Sequence, residues 1–153
     1  VGISAHLARL RAVVGHDLLL VPAVSVVITD AAGRLLLVRE AWQDGQWGVL
    51  GGAVDVGESP TEAAVREARE EIGAEVRLLR LLDVLGGPDF EVTYPNGDRV
   101  AYVDAVYEAE ISRGIPVPDG EEISAVAWFS PAELPGLALS RLSAALLRAT
   151  GRL

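Results

Sequence analysis

Residues 52–74 read GAVDVGESPTEAAVREAREEIGA, a run that joins a glycine turn, a helix start and a dense set of carboxylates. Ser59 followed three residues later by Glu62 is a capping box, in which each side chain takes up a backbone N–H that the first helical turn leaves open. Pro60 occupies the first helical position, where a missing N–H and a fixed φ cost nothing. Gly73 suits the left-handed residue that closes a helix. Together these signals predict a helix over 60–72, entered from one loop and left into another.

Glu67, Glu70 and Glu71 stand at i, i+3 and i+4 and so share one face of that helix. Ala64, Ala68 and Ile72 form an apolar stripe beside them that can lie against a sheet. A solvated acidic face accounts for Glu62 and Glu70, which lie four residues either side of Arg66. It accounts less well for Glu67 and Glu71, which have no cation three or four residues away. Like charges at this spacing cost roughly 0.2–0.5 kcal/mol per pair, so compensation has to come from outside the helix. A hard divalent cation such as Mg²⁺ or Mn²⁺, which prefers carboxylate oxygen, supplies it. Helix spacing alone leaves both readings open.

The same stretch resembles the Nudix box, G-x5-E-x7-R-E-U-x-E-E-x-G-U, where U is a small or aliphatic residue. Gly52, Glu58, Arg66, Glu67, Glu70, Glu71 and Gly73 fill its fixed positions, and Ala68 and Ala74 its U positions. Seven such identities coincide by chance roughly once in 10⁸ starts. The chain is therefore similar to the Nudix hydrolases (MutT-like). One departure is Leu50, where the family commonly has proline ahead of the paired glycines Gly51 and Gly52.

Composition narrows the alternatives. The 153 residues are half hydrophobic, enough for a substantial core, and contain no cysteine. Disulfides, thiolate metal sites and thiol nucleophiles are thereby excluded, and with only His6 and His16 a histidine cage is improbable. A net charge of −9 argues against a long nucleic acid as the main partner. It also means that metal ions and arginines must reverse the local sign before a polyphosphate can bind. The apolar runs are short and interrupted, so no membrane partner is expected, and a cytoplasmic location is the default.

Along the chain, Ile3, Leu7, Leu10 and Val14 predict an amphipathic helix capped by Ser4 and stopped by Gly15. Whether it packs on the core or on a second subunit, as in a homodimer, is open. Residues 1–22 are read as this helix and a link ending at Pro22, and 23–153 as the catalytic domain. Strands are expected over 24–29 and 35–39, joined by the turn Asp30-Ala31-Ala32-Gly33, and a short one over 47–50. Further strands are expected over 75–85, 90–94, 99–110 and 123–129. Asn96-Gly97 marks one hairpin, and residues 111–122 form a loop over the site. Ser130 and Glu133 form a second capping box opening a short turn, and residues 140–150 a terminal helix. This order agrees with the α+β Nudix fold, a mixed sheet sandwiched between helices.

The resemblance implies hydrolysis of the pyrophosphate in a nucleoside diphosphate linked to another group. It implies that Glu67, Glu70 and Glu71 hold Mg²⁺ or Mn²⁺, that the backbone carbonyl near Gly51 adds a ligand, and that a late-loop glutamate, Glu122 or Glu121, joins them. The general base is sought first at Glu71 or Glu67, then at Glu122. Arg66 is expected to orient the cluster while pairing with Glu62, and Glu58 to brace the loop against the helix. Arg39, Trp42, Phe90 and Tyr94 are candidate substrate contacts, with Trp42 a stacking residue and Trp47 a core residue. ADP-ribose-type sugar nucleotides, with Pro88 as a weak pointer, rank ahead of dinucleoside polyphosphates and (deoxy)nucleoside triphosphates. An mRNA cap is disfavoured by the acidic balance. The other classes are a non-catalytic nucleotide sensor and a structural acidic helix; a diphosphate isomerase would need a cysteine.

Overall fold

The computed structural model describes residues 3–153. One mixed sheet is built from β1 (Leu19–Thr29), β2 (Leu35–Glu40), β3 (Leu50–Ala53), β4 (Glu75–Leu85), β5 (Glu91–Thr93), β6 (Arg99–Arg113) and β7 (Ile123–Phe129). The strands run β4-β6-β1-β2-β7, with β3 on β1 and β5 on β6. β1 lies parallel to β6 and antiparallel to β2 and β3. Helix α2 (Pro60–Ile72) covers one face and α3 (Arg141–Ala149) the other, while α1 (Ala5–Val14) lies outside the sandwich with no buried residue.

Strand alternation explains the two cores. Val24, Val26 and Ile28 of β1 point toward Ala64, Ala68 and Ile72 of α2. Val27, with Leu37 and Val106, points toward Leu146 and Leu147 of α3. The expected bounds and caps of α2 are observed: both halves of the Ser59–Glu62 box are formed and Gly73 closes the helix at φ 63°. Ser4 caps α1 as expected, accepting from Leu7 N–H at 3.2 Å.

Several expectations need correction. The segment read as a link ending at Pro22 is the first part of β1. Pro22 is tolerated there because its carbonyl accepts from Val54 beyond the end of β3 (3.0 Å), so the N–H it lacks would point away from the β6 ladder. The expected strand over 47–50 is reduced to isolated bridges at Trp47 and Gly48 ahead of β3. Residues 88–90 form a 3₁₀ turn, leaving only 91–93 as strand. β6 runs on to Arg113, shortening the loop that follows. In the second capping box, Glu133 accepts from Ser130 N–H at 2.7 Å, but Ser130 returns its carbonyl rather than its side chain to Glu133 N–H (3.0 Å).

The sheet forks at the site. β1 and β2 pair only at Ile28–Leu36 and Thr29–Leu35. β2 then continues along β7, and β3 takes over the edge of β1 from Val26 to Ala23.

Candidate active site

Two adjoining cavities with shared lining open at this fork. The outer one, about 720 Å³, lies between the acidic face of α2, the late loop and α1. The inner one, about 400 Å³, lies on the α3 face of the sheet. Glu40, Trp42, Gly51, Gly52, Tyr94 and Tyr102 line both.

Gly51 and Gly52 bring β3 against the acidic helix. A Cβ at Gly51 would strike the Val24 carbonyl, and one at Gly52 would strike the Glu67 carboxylate. The box therefore needs glycine here for close approach. Leu50 is buried in the α2-side core, so the departure from proline keeps an apolar anchor before the glycines.

Arg66 ties the cluster together. Its guanidinium donates to Glu58 at 2.7 and 2.9 Å, to Glu67 at 2.8 Å, to Glu70 at 3.2 Å and to the Ala53 carbonyl at 3.0 Å. The expected pair with Glu62 does not form, because the Glu62 carboxylate is taken up by Ser59 N–H at 2.8 Å. Glu58 accepts from Asp55 N–H at 3.0 Å as well as from Arg66, which braces the loop to the helix.

Glu67 and Glu71 are buried within the α2 face. Burial pushes Glu67 up to about 7, with Arg66 opposing and Glu70 and Glu122 adding repulsion. Glu71 is pushed well above the carboxylate range by burial and by Glu67, Glu40 and Glu122, with only Gly51 N–H opposing. Its Oε2 is buried without a hydrogen-bond partner.

Glu40 is a member of this group that the sequence reading missed. Burial raises its pKa, although Gln43 (2.8 Å) and Trp42 donate to it. The late loop brings in Glu122, whose backbone carbonyl accepts from Ala41 N–H at 2.8 Å. Val117 and Asp119 N–H tether the same loop to the Ile72 and Glu71 carbonyls. Glu121 lines the outer cavity beside Glu122.

Among the described residues no three of these groups already converge in a metal-holding arrangement. The chemistry of the set nevertheless fits a hard cation: its donors are carboxylates, they repel one another, and one buried oxygen lacks a donor.

The candidate substrate contacts divide. Trp42 and Tyr94 meet at the junction of the cavities, ring centroids 5.1 Å apart and tilted by 49°. The Tyr94 hydroxyl is 2.5 Å from that of Tyr102. Arg39 and Phe90 line neither cavity. Arg39 stacks 4.4 Å over Trp47, and Trp47 packs edge-on against Phe129 at 4.9 Å in the α3-side core. Phe90 is buried in that same core. Ile3, ahead of α1, and Leu7 and Arg11 on it instead supply cavity wall, and Arg11 pins the helix to the Arg99 carbonyl at 2.7 Å.

A model of the NUDIX domain matches residues 19–148. The NAD-capped RNA hydrolase NudC of Mycobacterium tuberculosis is 33% identical over 109 residues, covering 60% of this chain and 35% of that protein. The chain thus spans about a third of the length of that relative. Among solved structures, a MutT NUDIX hydrolase from Burkholderia pseudomallei is 29% identical with a TM-score of 0.68, covering 88% of this chain and 98% of that one. An ADP-ribose pyrophosphatase from Streptococcus suis is 28% identical with a TM-score of 0.63, covering 85% and 88%.

Proposed function

Because the chain belongs to the Nudix domain family, a family of hydrolases, we propose that it hydrolyses the pyrophosphate bond of a nucleoside diphosphate derivative with the help of divalent cations. The observation that carries this reading is the crowding of Glu67, Glu71, Glu40 and Glu122 around one cavity, with Glu71 Oε2 unpartnered. Glu67, Glu70, Glu71 and Glu122 are the side chains that would hold Mg²⁺ or Mn²⁺, with the backbone at Gly51 alongside. Glu122 is preferred to Glu121 because its charge acts on Glu40, Glu67 and Glu71. Bound cations would neutralise phosphoryl oxygens and acidify the attacking water.

The chain's own groups do the rest. Arg66 fixes Glu67 and Glu70 through charge-assisted hydrogen bonds. A carboxylate of the cluster, Glu71 or Glu67 before Glu122, takes the proton of the water that attacks phosphorus. Trp42 and Tyr94 offer aromatic surface to a base at the cavity junction.

A small sugar nucleotide of the ADP-ribose type remains the preferred substrate, supported by the Streptococcus suis pyrophosphatase as a structural neighbour. The NudC relative is named for capped RNA, yet the net charge of −9 favours a small ligand over a long RNA. A panel of nucleoside diphosphate derivatives with Mg²⁺ or Mn²⁺, products identified by mass, tests this. Cleavage between the phosphates is expected and should cease with EDTA. Binding without cleavage in either metal would instead identify a nucleotide sensor.

A further inference from the structure

The inner cavity holds a buried acid that the proposed phosphate chemistry does not use. Asp104, on β6, is 2% exposed and lines that cavity together with Ser25. Ser25 Oγ donates to Asp104 Oδ2 at 2.7 Å, and Asp104 Oδ1 is buried with no hydrogen-bond partner. Tyr102, two residues before it on the same strand, also lines the cavity and carries the hydroxyl contact to Tyr94, whose ring meets Trp42 at a tilt. Val49, Val92 and Leu142 supply apolar wall. Polar groups including Gln43, Ser140 and Ser143 also line the cavity, but the aromatic pair beside it and the unpaired, buried Asp104 oxygen together suit a heterocycle that carries an N–H donor.

Resting on the hydrolase reading above, we propose that the inner cavity is the base pocket of the substrate and that Asp104 selects nucleobases presenting an N–H donor on the ring edge. Ser25 fixes the carboxylate by occupying Oδ2, so Oδ1 is the atom that accepts. Burial pushes the Asp104 carboxyl up to about 6, with Ser25 opposing. Near neutral pH it is therefore an acceptor lacking one donor. A site built around such a group discriminates against ligands that leave it unpaired.

The test uses three purine nucleoside diphosphate riboses: adenine, with an exocyclic amino group; hypoxanthine, with a ring N–H; and unsubstituted purine, with neither. Binding is measured by calorimetry and cleavage by product mass on the same protein. The wild type should bind the unsubstituted purine roughly 10- to 100-fold more weakly than the better of the other two, the range set by one charge-assisted hydrogen bond. Asp104→Asn should erase that preference. With Ser25 still donating to its amide oxygen, the amide N–H₂ faces the pocket and asks for an acceptor instead. Ser25→Ala, which keeps the carboxylate, should retain the preference in weakened form and serves as the folding control.

Equal wild-type affinity for all three ligands, an unchanged ranking in Asp104→Asn, or no binding of any of them overturns the pocket assignment. Cleavage of all three with no ranking leaves the hydrolase reading standing while the pocket falls. Ranked binding without cleavage does the reverse.

Discussion

The two cavities handle buried acid in opposite ways. In the outer cavity Glu67 and Glu71 crowd Glu40 and Glu122, and their mutual repulsion adds to the effect of burial. In the inner cavity Asp104 sits apart, raised by burial alone and steadied by one serine. Burying like charges together is costly unless a counter-charge arrives, so the crowded set points to a cation. A solitary carboxylate with one free oxygen points to a hydrogen-bond donor. The same residue chemistry, differently spaced, divides one ligand between its phosphates and its base.

Removing a carboxylate from the crowded set gives the largest expected effect. Glu71→Gln should lower kcat by about 10³-fold or more, read in steady-state assays with saturating Mg²⁺. It should also raise the thermal midpoint of the metal-free protein at pH 8, because a crowded buried charge is gone. Lost activity with gained stability separates a functional acid from a structural one. A drop in both would instead make Glu71 part of the framework.

Next in size is the aromatic junction. Trp42→Ala should raise KM about tenfold, within the 1–3 kcal/mol of base stacking, with kcat little changed. Phe90→Ala is its counterpart: the residue is buried in the α3-side core, so roughly 3–5 kcal/mol of stability should be lost. KM of the folded fraction should stay put. If Phe90→Ala raised KM without loss of stability, the assignment of Phe90 to the core would fail.

The smallest effect is on pH dependence. Burial pushes Glu67 up to about 7 from an ordinary 4.5, and Asp104 up to about 6 from an ordinary 3.8. Raised acids hold their protons longer when folded, so the unfolded chain binds fewer protons in this window and stability falls as pH rises. The metal-free thermal midpoint should therefore decline by several degrees between about pH 4 and pH 7. Mg²⁺ should recover more of it at pH 8 than at pH 5. Asp104→Asn should flatten part of the decline without changing the Mg²⁺ response, which isolates the inner cavity from the outer.

What could be read from the sequence follows the range of the interactions involved. Helix α2 and its caps were legible because each cap acts locally: Ser59, Pro60 and Glu62 lie within one turn, and Gly73 N–H bonds back to the Arg69 carbonyl in the last turn. The grouping of Glu67, Glu70 and Glu71 on one face follows from the same period. Glu40 was not legible: only the fork between β1 and β2 and the tie from Ala41 to the late loop bring it to α2. Asp104 was not legible either, because its partner Ser25 lies 79 residues away. Arg39 and Phe90 were plausible contacts by position along the chain. Trp47 and the 3₁₀ turn at residues 88–90 draw them toward the α3 side instead.

The most direct test is a Mn²⁺ titration followed by electron paramagnetic resonance on the wild type and on the double variant Glu67→Gln/Glu71→Gln, without nucleotide. The carboxylate cluster predicts saturable Mn²⁺ binding by the wild type that weakens by at least about 10-fold in the variant. Equal Mn²⁺ affinity in the two proteins would contradict it, leaving the buried acids of α2 without the role assigned to them.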